Sequence, residues 1–162
     1  MAEKIGIPLH GNKKVLAAPV TADGSVPLEA AWKELCRTYK NSVEIVDAAP
    51  TKKPEYCDQQ SKPFKIFYEA GATDGKFQAY DYDPATLVEL IGGTTLDGEW
   101  TEPEENLGKE IALRFMTDSG HQITYPSVML FAKKNLKLTK DSVALLDIEF
   151  EPLVPGKFKK LP

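Results

Sequence analysis

Ile111-Ala-Leu-Arg-Phe-Met-Thr-Asp-Ser-Gly120, followed by His-Gln-Ile-Thr-Tyr-Pro-Ser-Val-Met-Leu-Phe-Ala132, is the stretch whose reading decides the fold. Ile111, Leu113 and Phe115 stand at alternate positions, the period of a strand with one buried face. Asp118-Ser119-Gly120 reads as a turn. Residues 122–132 are again rich in aliphatic, β-branched and aromatic side chains, with Pro126 marking a break or an edge position. Two such strands joined by a short turn predict an antiparallel pair. Farther on, residues 142–151 put Ala144, Leu146, Ile148 and Phe150 on one face and Asp147 and Glu149 on the other. The tail, with Pro152, Pro155 and Pro162 among lysines, reads as an extended arm over 152–162.

Upstream the pattern changes once, clearly. In Asp81-Tyr-Asp-Pro-Ala-Thr-Leu-Val-Glu-Leu-Ile-Gly-Gly93, Asp83 is placed to cap the first turn of a helix and Pro84 sits where a missing N–H costs nothing. Leu87, Val88, Leu90 and Ile91 make its apolar stripe, and Gly92-Gly93 supplies a left-handed stop. A polar acidic loop over 94–107 follows, with Trp100 as its one large anchor. Leu28, Ala31, Trp32, Leu35 and Tyr39 recur at helical spacing and predict a second amphipathic helix over 28–39. Residues 42–47 read as a strand, and 64–68 and 76–82 as a hairpin around Gly71 to Gly75. Between them, 48–63 is rich in proline and lysine and poor in large apolar residues, which predicts a long exposed loop. A flexible arm is expected over 1–12. The whole reads as one domain over 1–162: mainly β, a sandwich or partial barrel of two packed antiparallel sheets, with one or two flanking helices.

Composition limits what such a body does. The 162 residues are 42% hydrophobic and 27% charged, which excludes disorder and a disulfide-stapled miniprotein. A net charge of −4 argues against broad attraction to phosphate backbones or anionic membrane. No apolar stretch approaches the roughly 20 residues that span a bilayer, and no signal peptide is evident, so a soluble chain made in a cytoplasm is expected. Cys36 and Cys57 have no metal-ligand spacing and read as free thiols, while His10 and His121 are isolated and sit beside glycines.

The motifs that resemble catalytic ones have plainer readings. Asp81-Tyr-Asp83 has the spacing of a metal-binding pair, but its place before a helix favours capping. The glycines at 92–93 end a helix instead of opening one, so they make no phosphate loop. Glu99, Glu102, Glu104 and Glu105 lie in a polar loop where nothing raises a carboxyl pKa, so no hydrolase acid/base pair is read there. Lys157-Phe-Lys-Lys160 is a basic-aromatic run too short, on an acidic chain, to signal nucleic-acid binding. No enzyme, metal site or cofactor is read from these residues.

The order of segments, with "D-x-D-P-x-T-L-x-x-L-x-G-G" at 81–93 and "A-L-R-F-x-T-x-x-G-x-x-I-x-x-P" from 112, resembles the major tail tube proteins of long-tailed bacteriophages, particularly the group from Bacteroides-like hosts. The similarity covers roughly residues 20–155. It implies a structural virion protein without catalysis or cofactor. Subunits would be made in the bacterial cytoplasm and assembled into stacked, usually hexameric rings, forming a tail tube that conducts DNA. Implied partners are copies of itself and other tail proteins, with DNA passing without specific binding and no membrane. On this reading Asp147, Glu149 and Glu151 are candidates to line the channel, since an acidic lining offers the duplex no deep binding well. The 48–63 segment, with Lys52, Lys53, Pro54 and Tyr56, is the candidate to reach a neighbouring ring. Two alternatives stay open: a tube subunit of a secretion system, and a non-catalytic β-sandwich binding module using an aromatic platform, for which Trp32 and Trp100 are the tryptophan candidates.

Overall fold

The computed structural model describes Gly6 and residues 8–162. The expected mainly β, antiparallel architecture with a flanking helix is what the chain adopts. Among the described residues, twelve strands run in the order β1 (Lys14–Ala18), β2 (Lys33–Cys36), β3 (Glu44–Asp47), β4 (Thr51–Glu55), β5 (Lys65–Glu69), β6 (Thr73–Ala79), β7 (Thr94–Leu96), β8 (Glu99–Thr101), β9 (Lys109–Met116), β10 (His121–Asn135), β11 (Leu145–Pro152) and β12 (Lys157–Lys160). An α-helix, α1 (Pro84–Leu90), lies between β6 and β7. The main sheet has eight strands in the order β2-β1-β9-β10-β11-β6-β3, with β12 also on β10, while β4-β5 and β7-β8 are separate two-stranded ribbons.

The strands of the deciding stretch pair as read: Phe115 faces Ile123 and Leu113 faces Tyr125 across β9 and β10. Pro126 is neither a break nor an edge residue. It is buried inside β10, where the register shifts between Tyr125 and Val128, so the missing N–H falls in a bulge that bends the strand. Beyond the bend Val128, Leu130 and Ala132 turn inward, meeting Leu146, Ile148 and Phe150 of β11 and Phe77 and Ala79 of β6. The sheet curls far enough for its ends to meet. After pairing with β1 through Cys36 and Val15, the chain crosses to β6, where Tyr39 N–H donates to the Gln78 carbonyl at 2.7 Å and Tyr80 N–H to the Arg37 carbonyl at 3.0 Å. One run of chain thus closes a partial barrel by serving two strands that are otherwise far apart.

α1 has the predicted ends. Asp83 accepts from the Thr86 N–H and hydroxyl, Pro84 opens the helix, and Gly92 and Gly93 follow with φ of 103° and 87°. Leu87, Leu90 and Ile91 are buried in the core. The indole N–H of Trp100 donates to the Gly92 carbonyl at 2.8 Å, tying the β7-β8 ribbon to the end of the helix.

Four local expectations are corrected. The 28–39 helix is absent: only a single 3-10 turn, Glu29–Ala31, forms before β2. Leu28, first of the proposed stripe, is 83% exposed, while Leu35 and Cys36 are buried as strand residues, because pairing with β1 takes them. The hairpin drawn between 64–68 and 76–82 does not exist, since β5 pairs with β4 and β6 pairs with β11 and β3. The 48–63 segment is not a featureless loop, because β4 occupies part of it and forms a ribbon with β5. The 152–162 tail is not an arm throughout: β12 lies against β10, Phe158 facing Ile123, and continues the line of β11. Of the expected arm at 1–12, residues 1–5 and 7 lie outside the described residues. His10 is tied to the β9-β10 turn, its N–H donating to Ser119 Oγ at 3.2 Å and its carbonyl accepting from Ser119 N–H at 3.3 Å.

Candidate assembly surfaces

The β4-β5 ribbon follows directly from its alternation. Lys52 faces Tyr68, Lys53 faces Phe67 and Pro54 faces Ile66, so one side carries Lys52, Pro54, Ile66 and Tyr68 and the other Lys53, Glu55, Lys65, Phe67 and Glu69. Every residue of both strands is exposed. Tyr56 and Phe64, just outside the strands, are exposed as well. Two-stranded ribbons are marginal in water, and this one covers its rings only locally, with Lys65 Nζ at 5.0 Å from the Phe67 ring centre and Lys52 Nζ at 6.0 Å from that of Tyr68. Of the residues expected to reach outward, Lys52, Lys53 and Pro54 lie in β4 and Tyr56 just beyond it. The apolar half of the surface, Ile66, Phe67 and Tyr68, was hidden from sequence reasoning. An unbroken apolar run with no partner identified reads as a buried strand.

A second surface lies on the outer side of β10, β11, β6 and β3. Asp147, Glu149 and Glu151 occupy alternate positions of β11, pointing away from the core that Leu146, Ile148 and Phe150 fill. Asp147 is half-buried and accepts from Gln78 Nε2 at 2.8 Å and Asn135 Nδ2 at 3.3 Å. Glu149 stands between Phe131 and Lys76, and Glu151 opposite Met129. Glu149 and Glu151 line a shallow groove of about 570 Å³ with Glu44, Asp74, Met129 and Phe131. Its one lysine, Lys76, lies 3.5 Å from Glu44, so the groove is acidic around an apolar floor. Asp147 flanks this groove without lining it.

The remaining candidates are taken up in structure. Asp81 accepts from the Arg37 backbone at 2.6 Å and from its guanidinium at 2.9 and 3.1 Å, while Asp83 caps α1, so the two aspartates serve separate contacts. Glu102 meets Lys134 and the other loop glutamates are exposed. His121 Nδ1 lies 2.8 Å from Ser119 Oγ within the turn. Arg114 is a buried cation that no sequence pattern flagged. Its guanidinium reaches Glu29 at 2.9 and 3.3 Å and Thr124 Oγ1 at 3.2 Å, and lies 4.3 Å from the centre of the Trp32 ring. In return, Arg114 holds the Glu29 carboxyl below its ordinary range. Both tryptophans are thus engaged within the chain, Trp32 over Arg114 and Trp100 on the helix end. Among the described residues no three His, Cys, Asp or Glu converge as a metal-binding group, and no helix is long and apolar enough to cross a membrane.

Cys36 differs sharply from Cys57. Burial, with Asp81 and Glu34 adding, pushes its thiol up to about 12, so it is neutral at physiological pH. A maleimide at pH 7.5 is expected to label half-buried Cys57 at least tenfold faster than Cys36, with the second equivalent reacting only in denaturant. Mass spectrometry of labelled peptides checks this.

No protein-family model matches the chain, and no curated protein does. Among solved structures, the chain is similar to the PVC sheath/tube terminator of an extracellular contractile injection system in its extended state, at 11% sequence identity and a TM-score of 0.48, with 98% of this chain and 99% of that chain covered.

Proposed function

We propose that the chain is a non-catalytic structural subunit that completes its surfaces with copies of itself, as the rings of a tail tube do. The observation that carries this reading is the β4-β5 ribbon. It exposes Ile66, Phe67, Tyr68, Phe64 and Tyr56 on a two-stranded projection with no core of its own, and contiguous apolar surface of that kind marks an interaction site. A partner that covers one side of the ribbon removes that exposure, and repetition of the contact in every subunit builds a ring or a stack. Lys52, Pro54, Ile66 and Tyr68 on one side, with Tyr56 just beyond β4, are the residues this contact would use between rings, and Lys53 on the other side would serve a contact there with Phe67.

Asp147, Glu149 and Glu151 belong to the same proposal as lining of a channel for DNA. Their carboxylates repel a duplex over about 8 Å at physiological salt and hold none of its phosphates. A β-sandwich binding module is the less favoured reading, because Trp32 and Trp100 are spent on Arg114 and on the helix end and form no platform.

Negative-stain microscopy of the concentrated protein tests the assembly: rings or tubes of constant width are expected. Ile66→Glu with Tyr68→Glu should abolish stacking while leaving the melting temperature of the dilute protein within a few degrees, since both residues are exposed. A protein that remains monomeric at every concentration, or a ribbon variant that assembles normally, overturns the reading. Neutralising Asp147, Glu149 and Glu151 should change DNA passage and leave assembly intact; loss of assembly instead moves them to an interface.

A further inference from the structure

β3 and the β4-β5 ribbon belong to one long pair of strands. Asp47 faces Thr73, and four residues farther out along each strand Thr51 faces Glu69, so β4 continues the line of β3 and β5 that of β6 with no slip in register. Two edges of this pair stay open. β3 is hydrogen-bonded only to β6 and β5 only to β4, and among the described residues no strand lies along the other edge of either. Space flanks β3 on both faces: a cleft of about 1480 Å³ takes in Val43, Ile45 and Asp47 on the core side, and the shallow acidic groove takes in Glu44 and Val46 on the outer side. Unpaired edges of this kind are templates for another chain.

Side and direction decide which edges fit. The open edge of β3 is turned away from β6, whereas the open edge of β5 is on the side where its continuation, β6, meets β11. These are opposite edges, so a β5 laid beside β3 from a second copy in the same orientation keeps the core sides of the two sheets together. It also runs antiparallel to β3, as β6 does. With Asp47 opposite Lys65, Ile66 falls opposite Val46, Phe67 opposite Ile45 and Tyr68 opposite Glu44. Alternation then agrees on both faces. Ile45, partly buried against the core, meets Phe67, while exposed Val46 meets exposed Ile66 on the outer side. Lysine faces aspartate at one end, and at the other a phenol hydroxyl is set to donate to a carboxylate. Two copies of β3 would instead crowd Glu44 and Asp47 of each strand together.

We propose that β5 of one copy adds to the open edge of β3 of a second copy as an antiparallel strand, through Lys65–Asp47, Ile66–Val46, Phe67–Ile45 and Tyr68–Glu44. This rests on the self-assembly reading above and names the surface that receives the ribbon. Main-chain hydrogen bonds supply the affinity of such strand addition and the side chains its register. The giving and receiving edges differ, so a copy that offers its ribbon keeps its own β3 open for the next, and the contact repeats head to tail.

Disulfide trapping tests it in a Cys57→Ser background, Cys36 being buried. Val46→Cys with Ile66→Cys in one chain should give a ladder of cross-linked species on a non-reducing gel after mild oxidation of the assembled protein. A link within one copy is barred: Val46 lies beside Asp74 and Ile66 beside Pro54, eight positions farther along the β3-β4 line or roughly 26 Å away. Copies carrying only Val46→Cys, mixed with copies carrying only Ile66→Cys, should link into dimers, and neither kind should link alone. Val46→Cys with Phe67→Cys sets the thiols on opposite faces and should link at least about fivefold more slowly. All three positions are exposed, and thermal melting identifies any variant that misfolds. Folded, assembled copies in which the same-face pair links no faster than the opposite-face pair overturn the edge pairing and leave self-assembly standing. Ile66→Cys copies that link alone as fast as the mixture also overturn it, since ribbon would then meet ribbon. Absence of any assembly by the natural sequence overturns both.

Discussion

Phe150→Ala is expected to lower the free energy of unfolding by about 3–5 kcal/mol, the upper range for loss of a buried ring. Phe150 is the centre of the core's aromatic cluster. Its ring centre lies 5.5 Å from Phe115, 6.0 Å from Tyr125 and 6.1 Å from Phe77, rings supplied by β9, β10 and β6. Truncating it removes edge and stacking contacts to all three and leaves a cavity, because these neighbours are themselves held by strand pairing and have little freedom to collapse inward. Urea denaturation at neutral pH measures the loss as a lower midpoint at unchanged slope. A change under about 1 kcal/mol would show that the barrel interior repacks freely.

Gly75→Ala is the second large effect, about 1–3 kcal/mol of overpacking, and its sign depends on Phe150. Gly75 faces Phe150 directly across β6 and β11, and the ring covers the position a side chain at 75 would occupy: an added methyl would overlap it. In the Phe150→Ala background the same methyl enters vacated space. There it should be neutral or stabilising, by about 0.4–1 kcal/mol from the reduced freedom of the unfolded chain. The double-mutant cycle should therefore report a coupling of about 1–3 kcal/mol, well above that of distant sites. Additive losses would mean that the ring moves aside without cost.

These two residues also show which parts of the fold were legible in sequence. Phe150 belongs to the run Ala144, Leu146, Ile148, Phe150, and strict alternation names its buried face without any partner strand being known. α1 was equally legible, since Asp83, Pro84 and the glycines at 92–93 act within the segment itself. Gly75 looked like part of a turn, because the ring that needs its missing side chain comes from a strand more than seventy residues later. The 28–39 helix failed for the same reason. Leu35 and Cys36 fit a helical stripe by spacing, but β1 offers them a ladder and burial, and tertiary pairing outweighs local periodicity. Alternation alone puts Asp147 and Glu149 on the face opposite Leu146, Ile148 and Phe150, and Glu151 follows them in register along β11. The ribbon is half legible: the lysines and proline of β4 read as exposed, whereas the hydrophobicity of Ile66 and Tyr68 gives no sign that they face solvent.

The strand run that closes the barrel also governs how the protein is made. Val15 pairs with Phe115, and Arg37 and Tyr39 bond to Tyr80 and Gln78. Synthesis proceeds from the N-terminus, so β1 leaves the ribosome about a hundred residues ahead of its partner β9. The nascent chain must hold Val15, Leu35 and Cys36 uncovered during that interval, the condition under which translating polypeptides recruit chaperones.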